Sequence, residues 1–106
     1  MELKRQAFKM KLKKGFEKEY ARRHALLWPE MKKLLKDQGV SNYTIFLDEE
    51  TDILFGYQET SGDSSSQDLG NLEIVQKWWA FMADIMEVNE DLSPVTIPVE
   101  EVFHLK

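Results

Sequence analysis

A phenol and an imidazole lie four residues apart, Tyr20 and His24, in the run Tyr20-Ala21-Arg22-Arg23-His24-Ala25-Leu26-Leu27-Trp28-Pro29-Glu30. If this run is helical, Phe16, Tyr20, His24, Leu27, Met31 and Leu34 share one stripe about 80° wide. Two polar tips then stand in the middle of the face that should be dry. Residues at i and i+4 are neighbours on a helix, so both tips can point into one small volume. An imidazole with an ordinary pKa near 6.5 is suited to moving a proton as general acid or base.

Each of these residues also has a plainer reading. His24 fits equally a half-buried helix histidine bonded to a neighbour. Tyr20 fits a core tyrosine whose hydroxyl reaches water. Tyr43, between Asn42 and Thr44, is a core or edge aromatic, or else a ligand contact. The adjacent indoles Trp78 and Trp79 are costly to expose, and an indole face stacks on the C–H face of a sugar ring, so one is expected in the core and one at a ligand. Asp48, Glu49, Glu50 and Asp52 read as a solvated turn, and His104 as structural. No serine has a nucleophile-elbow context and no glycine run cradles phosphate, so covalent and nucleotide chemistry have little support.

Composition narrows the classes further. At 106 residues the chain is long enough for one core, and residues 1–106 are expected to form a single domain. With 14 basic against 19 acidic residues the net charge is -5, and the short clusters Lys11-Leu12-Lys13-Lys14 and Lys32-Lys33 make no phosphate-binding patch. Nucleic acid is therefore not an expected partner. The absence of cysteine removes disulfides and thiolate chemistry, and two histidines make a metal site an unfavoured expectation. No run approaches the roughly 18 apolar residues of a membrane span, and no apolar segment follows Met1-Glu2-Leu3-Lys4-Arg5, so a cytoplasmic location without membrane attachment is the expectation.

The elements that must position these side chains follow from periodicity. Ala7 to Leu12 alternates as a strand with one buried face. From Phe16 a helical period runs to about Gln38, where Gly39 stops it. Pro29 lacks an N–H and disfavours helical geometry at Trp28, which predicts a break near Leu26 to Trp28 and a fresh start at Pro29. Asn42 to Leu47 reads as a second strand with Tyr43, Ile45 and Leu47 on one face, paired as a hairpin with Ile53 to Glu59. Thr60 to Asn71, rich in Ser, Gly and Asp, reads as a mobile loop needing no function of its own. A second helix is expected from Leu72 to Met86, with Ile74, Val75, Trp78, Phe81, Met82 and Ile85 on its apolar arc and Trp79 at the edge. After a connector from Asn89 to Pro98, Val99 to Leu105 alternates as a last strand. The order βαββαβ is that of an α+β, ferredoxin-like split βαβ sandwich with both helices on one sheet face. The other face is then solvated or paired, and a homodimer packed sheet to sheet is the economical solution.

These residues together resemble the L-rhamnose mutarotase family. The matching pieces are Gln6-Ala7-Phe8-Lys9-Met10, Glu19-Tyr20-Ala21-Arg22-Arg23-His24 with Trp28-Pro29-Glu30, Asn42-Tyr43-Thr44-Ile45-Phe46-Leu47-Asp48, Gln76-Lys77-Trp78-Trp79, Ser93-Pro94 and Glu101-Val102-Phe103. The resemblance implies a ferredoxin-like dimeric α/β barrel that interconverts the α and β anomers of L-rhamnose without a cofactor. It implies that His24 is the proton donor, and that Tyr20, Tyr43 and the Trp78-Trp79 pair bind the sugar. The chain departs from the family's pattern between Ser61 and Asn71, at the expected rim of the pocket. One imidazole and one or two phenols suffice for ring opening, each proton transfer contributing on the order of a hundredfold or more.

Two rival classes remain open on the residues alone. A cofactor-free or haem-handling monooxygenase on the same barrel would show a Soret shift on haem titration. A non-catalytic sugar-binding module would bind L-rhamnose, seen by tryptophan fluorescence, without speeding anomer exchange.

Overall fold

The computed structural model describes residues 3–61 and 65–106. The expectations that fall on Met1, Glu2 and 62–64 lie outside the described residues. Strand β1 spans Lys4–Lys11, helix α1 Glu17–Ala25, helix α2 Pro29–Asp37, strands β2 and β3 Val40–Asp48 and Ile53–Thr60, helix α3 Glu73–Met82 and strand β4 Ile97–Val99. The strands make one sheet in the order β2-β3-β1-β4 with every neighbouring pair antiparallel. This is the expected ferredoxin-like split βαβ sandwich.

Alternation decides which strand residues meet the helices. Phe8 and Met10 of β1, Leu54, Gly56, Gln58 and Thr60 of β3, and Leu12 just past β1 are buried on one face. Phe8 pairs with Gly56, and a Cβ built at Gly56 would lie 2.5 Å from the Phe8 ring, so the ring occupies the space a side chain would need. The long helical pattern divides where proline requires it. α1 ends at Ala25, Trp28 takes an extended conformation (φ -55°, ψ 131°), and Pro29 opens α2.

A feature of β2 that alternation does not reveal sets the site. Val40 pairs with Thr60 and Ser41 with Glu59, but the next pair is Thr44 with Tyr57, so Asn42 and Tyr43 together oppose Gln58. One extra residue reverses the alternation. Val40 is buried before the bulge, and Tyr43, Ile45 and Leu47 pack on the core after it. Asn42 absorbs the bulge at φ 47°, a left-handed conformation that asparagine tolerates better than most residues, and its amide donates to Glu59 Oε1 at 3.2 Å.

Three expectations need correction. The last strand is short, Ile97–Val99, and not Val99 to Leu105. Among the described residues its only partner is β1, over Ala7 to Lys9, and beyond Val99 the alternating residues gain no ladder there; Val102, Phe103 and Leu105 stay 91%, 77% and 81% exposed. The last helix is also shorter than Leu72 to Met86: it ends at Met82, and Met86 instead bridges to Leu12. The segment after β3 is not wholly loop, because Ser66–Asp68 forms a 3₁₀ turn with a reciprocal cap between Ser65 and Asp68.

Replacing Asn42 with valine places a β-branched residue in a left-handed conformation, which costs about 1–3 kcal/mol. Asn42→Val is expected to lower the urea midpoint accordingly, whereas Asn42→Gly leaves it within about 1 kcal/mol of the parent.

Candidate functional site

Between the inner sheet face and the helices lies a cavity of about 570 Å³. Tyr20 and His24 from α1, Tyr43 from β2, and Trp78 and Trp79 from α3 all line it, so the structure brings together every side chain that the sequence singles out for the site. Met10, Leu54, Val75 and Met82 form its apolar wall, while Glu17, Lys32 and Lys36 belong to the lining contributed by the helices' polar flanks.

The helical spacing of α1 stacks Tyr20 on His24, with ring centroids 4.3 Å apart and planes 27° from parallel. His24 Nδ1 is 3.1 Å from the Tyr20 carbonyl oxygen. A carbonyl only accepts, so Nδ1 carries the proton, and in the neutral ring Nε2 keeps its lone pair. The edge-on indole of Trp78, 5.5 Å away at 88°, closes another side of the imidazole. Burial pushes the His24 pKa below its ordinary 6.5, and the hydrogen bond to the Tyr20 carbonyl opposes this only in part. At neutral pH His24 is therefore a proton acceptor.

The two phenols are neutral as well. Burial, with a smaller contribution from nearby Tyr43, raises the Tyr20 pKa far above its usual value. Burial also raises that of Tyr43, against hydrogen bonds from Ser66 and Gln67 that lower it.

The indoles divide as their 100° offset requires. Trp78 turns toward α1 and packs edge-on against Trp28 at 5.1 Å. Trp79 turns toward the segment before the helix, where a Cβ on Gly70 would lie 2.6 Å from its ring. Both are buried and both line the cavity, so burial does not single out one as the core indole and the other as the one at a ligand. Phe81, expected on the buried arc, is 40% exposed and stacks with Trp28 and Trp78 at the rim of the core.

Sequence reasoning missed two sets of residues. Ser66 and Gln67 reach the cavity from the 3₁₀ turn. The signal was present as Ser65-x-x-Asp68, the spacing of a helical cap, inside a segment whose composition reads as loop. The second is Arg23, whose side chain is only 11% exposed. It donates to Glu19 at 2.7 Å, to Asp84 at 2.8 Å and to the Phe81 carbonyl at 2.8 Å, with its guanidinium 4.5 Å above the Phe81 ring. This clamp ties α1 to the end of α3 one residue before His24. Glu19 four residues before Arg23 was its legible half.

The model of the L-rhamnose mutarotase family matches residues 5–105 of the chain. An L-rhamnose mutarotase of Bacteroides thetaiotaomicron is 64% identical over 103 residues, covering 97% of this chain and 99% of that protein. One from Phocaeicola vulgatus is 64% identical with the same coverage. A crystal structure of an L-rhamnose mutarotase from Formosa agariphila superposes with a TM-score of 0.90 at 61% identity, covering 97% of this chain and 99% of that one.

The electrostatics of His24 give a sign for pH dependence. Its folded pKa lies below the unfolded value, so the unfolded chain binds more protons in acid. The corresponding stability is present above pH 6.5 and is lost as pH falls through the folded pKa. An NMR titration of the ring is expected to give a midpoint below 6.5, and replacing His24 with glutamine should flatten part of the loss of stability below that pH.

Proposed function

The chain belongs to the L-rhamnose mutarotase family, and we propose that it interconverts the α and β anomers of L-rhamnose, with His24 carrying the proton and Tyr20, Tyr43, Trp78 and Trp79 holding the sugar. The activity is that of an isomerase. The observation that carries the assignment of roles is the convergence of one neutral imidazole and two neutral phenols on a single cavity of about 570 Å³. That volume lies within the usual range for small-molecule sites, roughly 300–1,000 Å³.

Opening the ring requires a proton to leave the anomeric hydroxyl and another to reach the ring oxygen, while the bond between C1 and that oxygen breaks. His24 Nε2, free among the described residues, takes the first proton as C1 becomes a carbonyl. A phenol supplies the second. Rotation about the bond from C1 to C2 presents the other carbonyl face, and closure returns both protons. The imidazolium formed on opening is the donor on closing, which reconciles a resting acceptor with the donor role implied by the family resemblance. The apolar wall of Met10, Leu54, Val75 and Met82 suits the methyl group of a 6-deoxy sugar, which has no hydroxyl to satisfy there.

The outer sheet face supports a homodimer. Phe46 pairs across the hairpin with Phe55, and Ile97 lies opposite Lys9 on the far side of β1. Phe46 is 63% exposed and Ile97 54%, so an apolar strip, interrupted by Lys9 between Phe55 and Ile97, lies on the face that no helix among the described residues covers. A second copy packed sheet to sheet would cover it. Among the described residues no helix is long and apolar enough to cross a membrane, and a chain without cysteine is compatible with the cytoplasm. Fractionation of the source cells that left the protein wholly outside the cytoplasm would contradict that placement.

Saturation transfer between the two anomeric proton signals of L-rhamnose is expected to strengthen when the protein is added. His24→Ala should remove about a hundredfold or more of the acceleration. Separately, light scattering of the eluting protein should give twice the chain mass, and Phe46→Glu should shift it toward one chain mass by burying a charge in the strip.

A further inference from the structure

Resting on the mutarotase reading, we propose that Gln67 is a positioning residue that turns the Tyr43 hydroxyl proton toward the ring oxygen of the sugar, making Tyr43 the donor that works opposite His24. The turn that carries Gln67 is held rigidly. Ser65 and Asp68 cap it reciprocally, and the Ser66 N–H donates to Gln58 Oε1 at 3.3 Å. Gln58 is fully buried on β3, and its Nε2 donates to Gln6 Oε1 on β1 at 3.1 Å. The turn is thereby fastened to the inner face of two strands.

From this anchor the Gln67 amide spans the cavity's polar end. Its Nε2 donates to Tyr43 Oη at 3.4 Å and to Ser66 Oγ at 3.2 Å. Its Oε1 is 3.3 Å from the Thr96 hydroxyl, which also reaches the Pro94 carbonyl at 2.9 Å. The Ser66 hydroxyl is a further partner of Tyr43, and because its oxygen already accepts from Gln67 Nε2 its own proton is the one left for the Tyr43 oxygen. A phenol oxygen that accepts from an amide and a hydroxyl must direct its own proton elsewhere. The cavity, which Tyr43 lines, is the space that remains.

The same two donors face the atom on which negative charge develops. Tyr43 Oη gives its proton to the ring oxygen as the bond between that oxygen and C1 breaks and the electron pair stays on the oxygen. The anomeric hydroxyl proton passes to His24 Nε2 as the carbonyl forms. Closure on the other face reverses both transfers, so protons and electrons balance over the cycle. Preorganised donors at a developing anion stabilise the transition state more than the ground state, and act on kcat rather than on KM.

The test combines L-rhamnose anomer exchange with NMR of protein whose tyrosines carry ¹³C at Cζ, the Tyr43 signal being assigned by its loss in Tyr43→Phe. In Gln67→Leu, kcat is expected to fall about tenfold or more with KM within about threefold of wild type. The Tyr43 resonance should move while those of Tyr20 and Tyr57 stay in place. Gln67→Glu keeps a polar residue on the turn but offers an acceptor where a donor stood, and should lower kcat at least as far, providing the same test if the leucine variant fails to fold. An unchanged kcat, or a rise in KM alone with an unmoved Tyr43 resonance, overturns the proposal. Wild-type protein that leaves anomer exchange unchanged would instead overturn the mutarotase reading, and the donor role with it, whatever the resonance does.

Discussion

The site depends on a single hydrogen bond within one helix, from His24 Nδ1 to the Tyr20 carbonyl. It assigns the tautomer and turns the ring, and it leaves Nε2 as the only nitrogen available to a ligand. The contacts around the imidazole keep that state. Tyr20 stacks on one face, Trp78 meets an edge, and burial disfavours the charged ring. Arg23 adds the constraint that a single helix cannot supply, because its bonds to Glu19, Asp84 and the Phe81 carbonyl lock α1 against α3.

Into the same cavity the sheet presents the Tyr43 phenol, and it does so through an irregularity. Without the extra residue at Asn42, Tyr43 would point away from the core with Ile45 and Leu47. The bulge therefore determines both the packing of β2 and the placement of the phenol. The cavity itself forgoes contacts that would stabilise so small a chain, since atoms lining a void lose partners on one side. The aromatic cluster of Trp28, Trp78 and Phe81 beside it is the natural compensation.

Much of this arrangement is legible in the residue order. Proline at position 29 marks the division of the helix because its effect is local and steric, and Tyr20 and His24 declare themselves as polar residues on an apolar stripe. The strand order and the shared face of Tyr43, Ile45 and Leu47 follow from period-two alternation. What alternation misses is pairing. Residues beyond Val99 keep a strand pattern with no ladder partner among the described residues, and the bulge at Asn42 appears only when β2 is set against β3. Gln67 lay hidden for a different reason: serine, glycine and aspartate dominate its surroundings, and composition outweighed the capping pattern that orders the turn. The Arg23 clamp joins residues 61 positions apart, a contact that no local pattern encodes.

The central claim is that a neutral imidazole does the proton work. The pH dependence of kcat/KM for L-rhamnose anomer exchange tests it most directly, because that profile reports the protonation of the free protein. The account predicts a rate that is level above pH 6.5 and falls toward tenfold per unit once the pH drops below the lowered pKa of His24. A rate that instead rises as the imidazole becomes protonated, or that ignores this range, would contradict it.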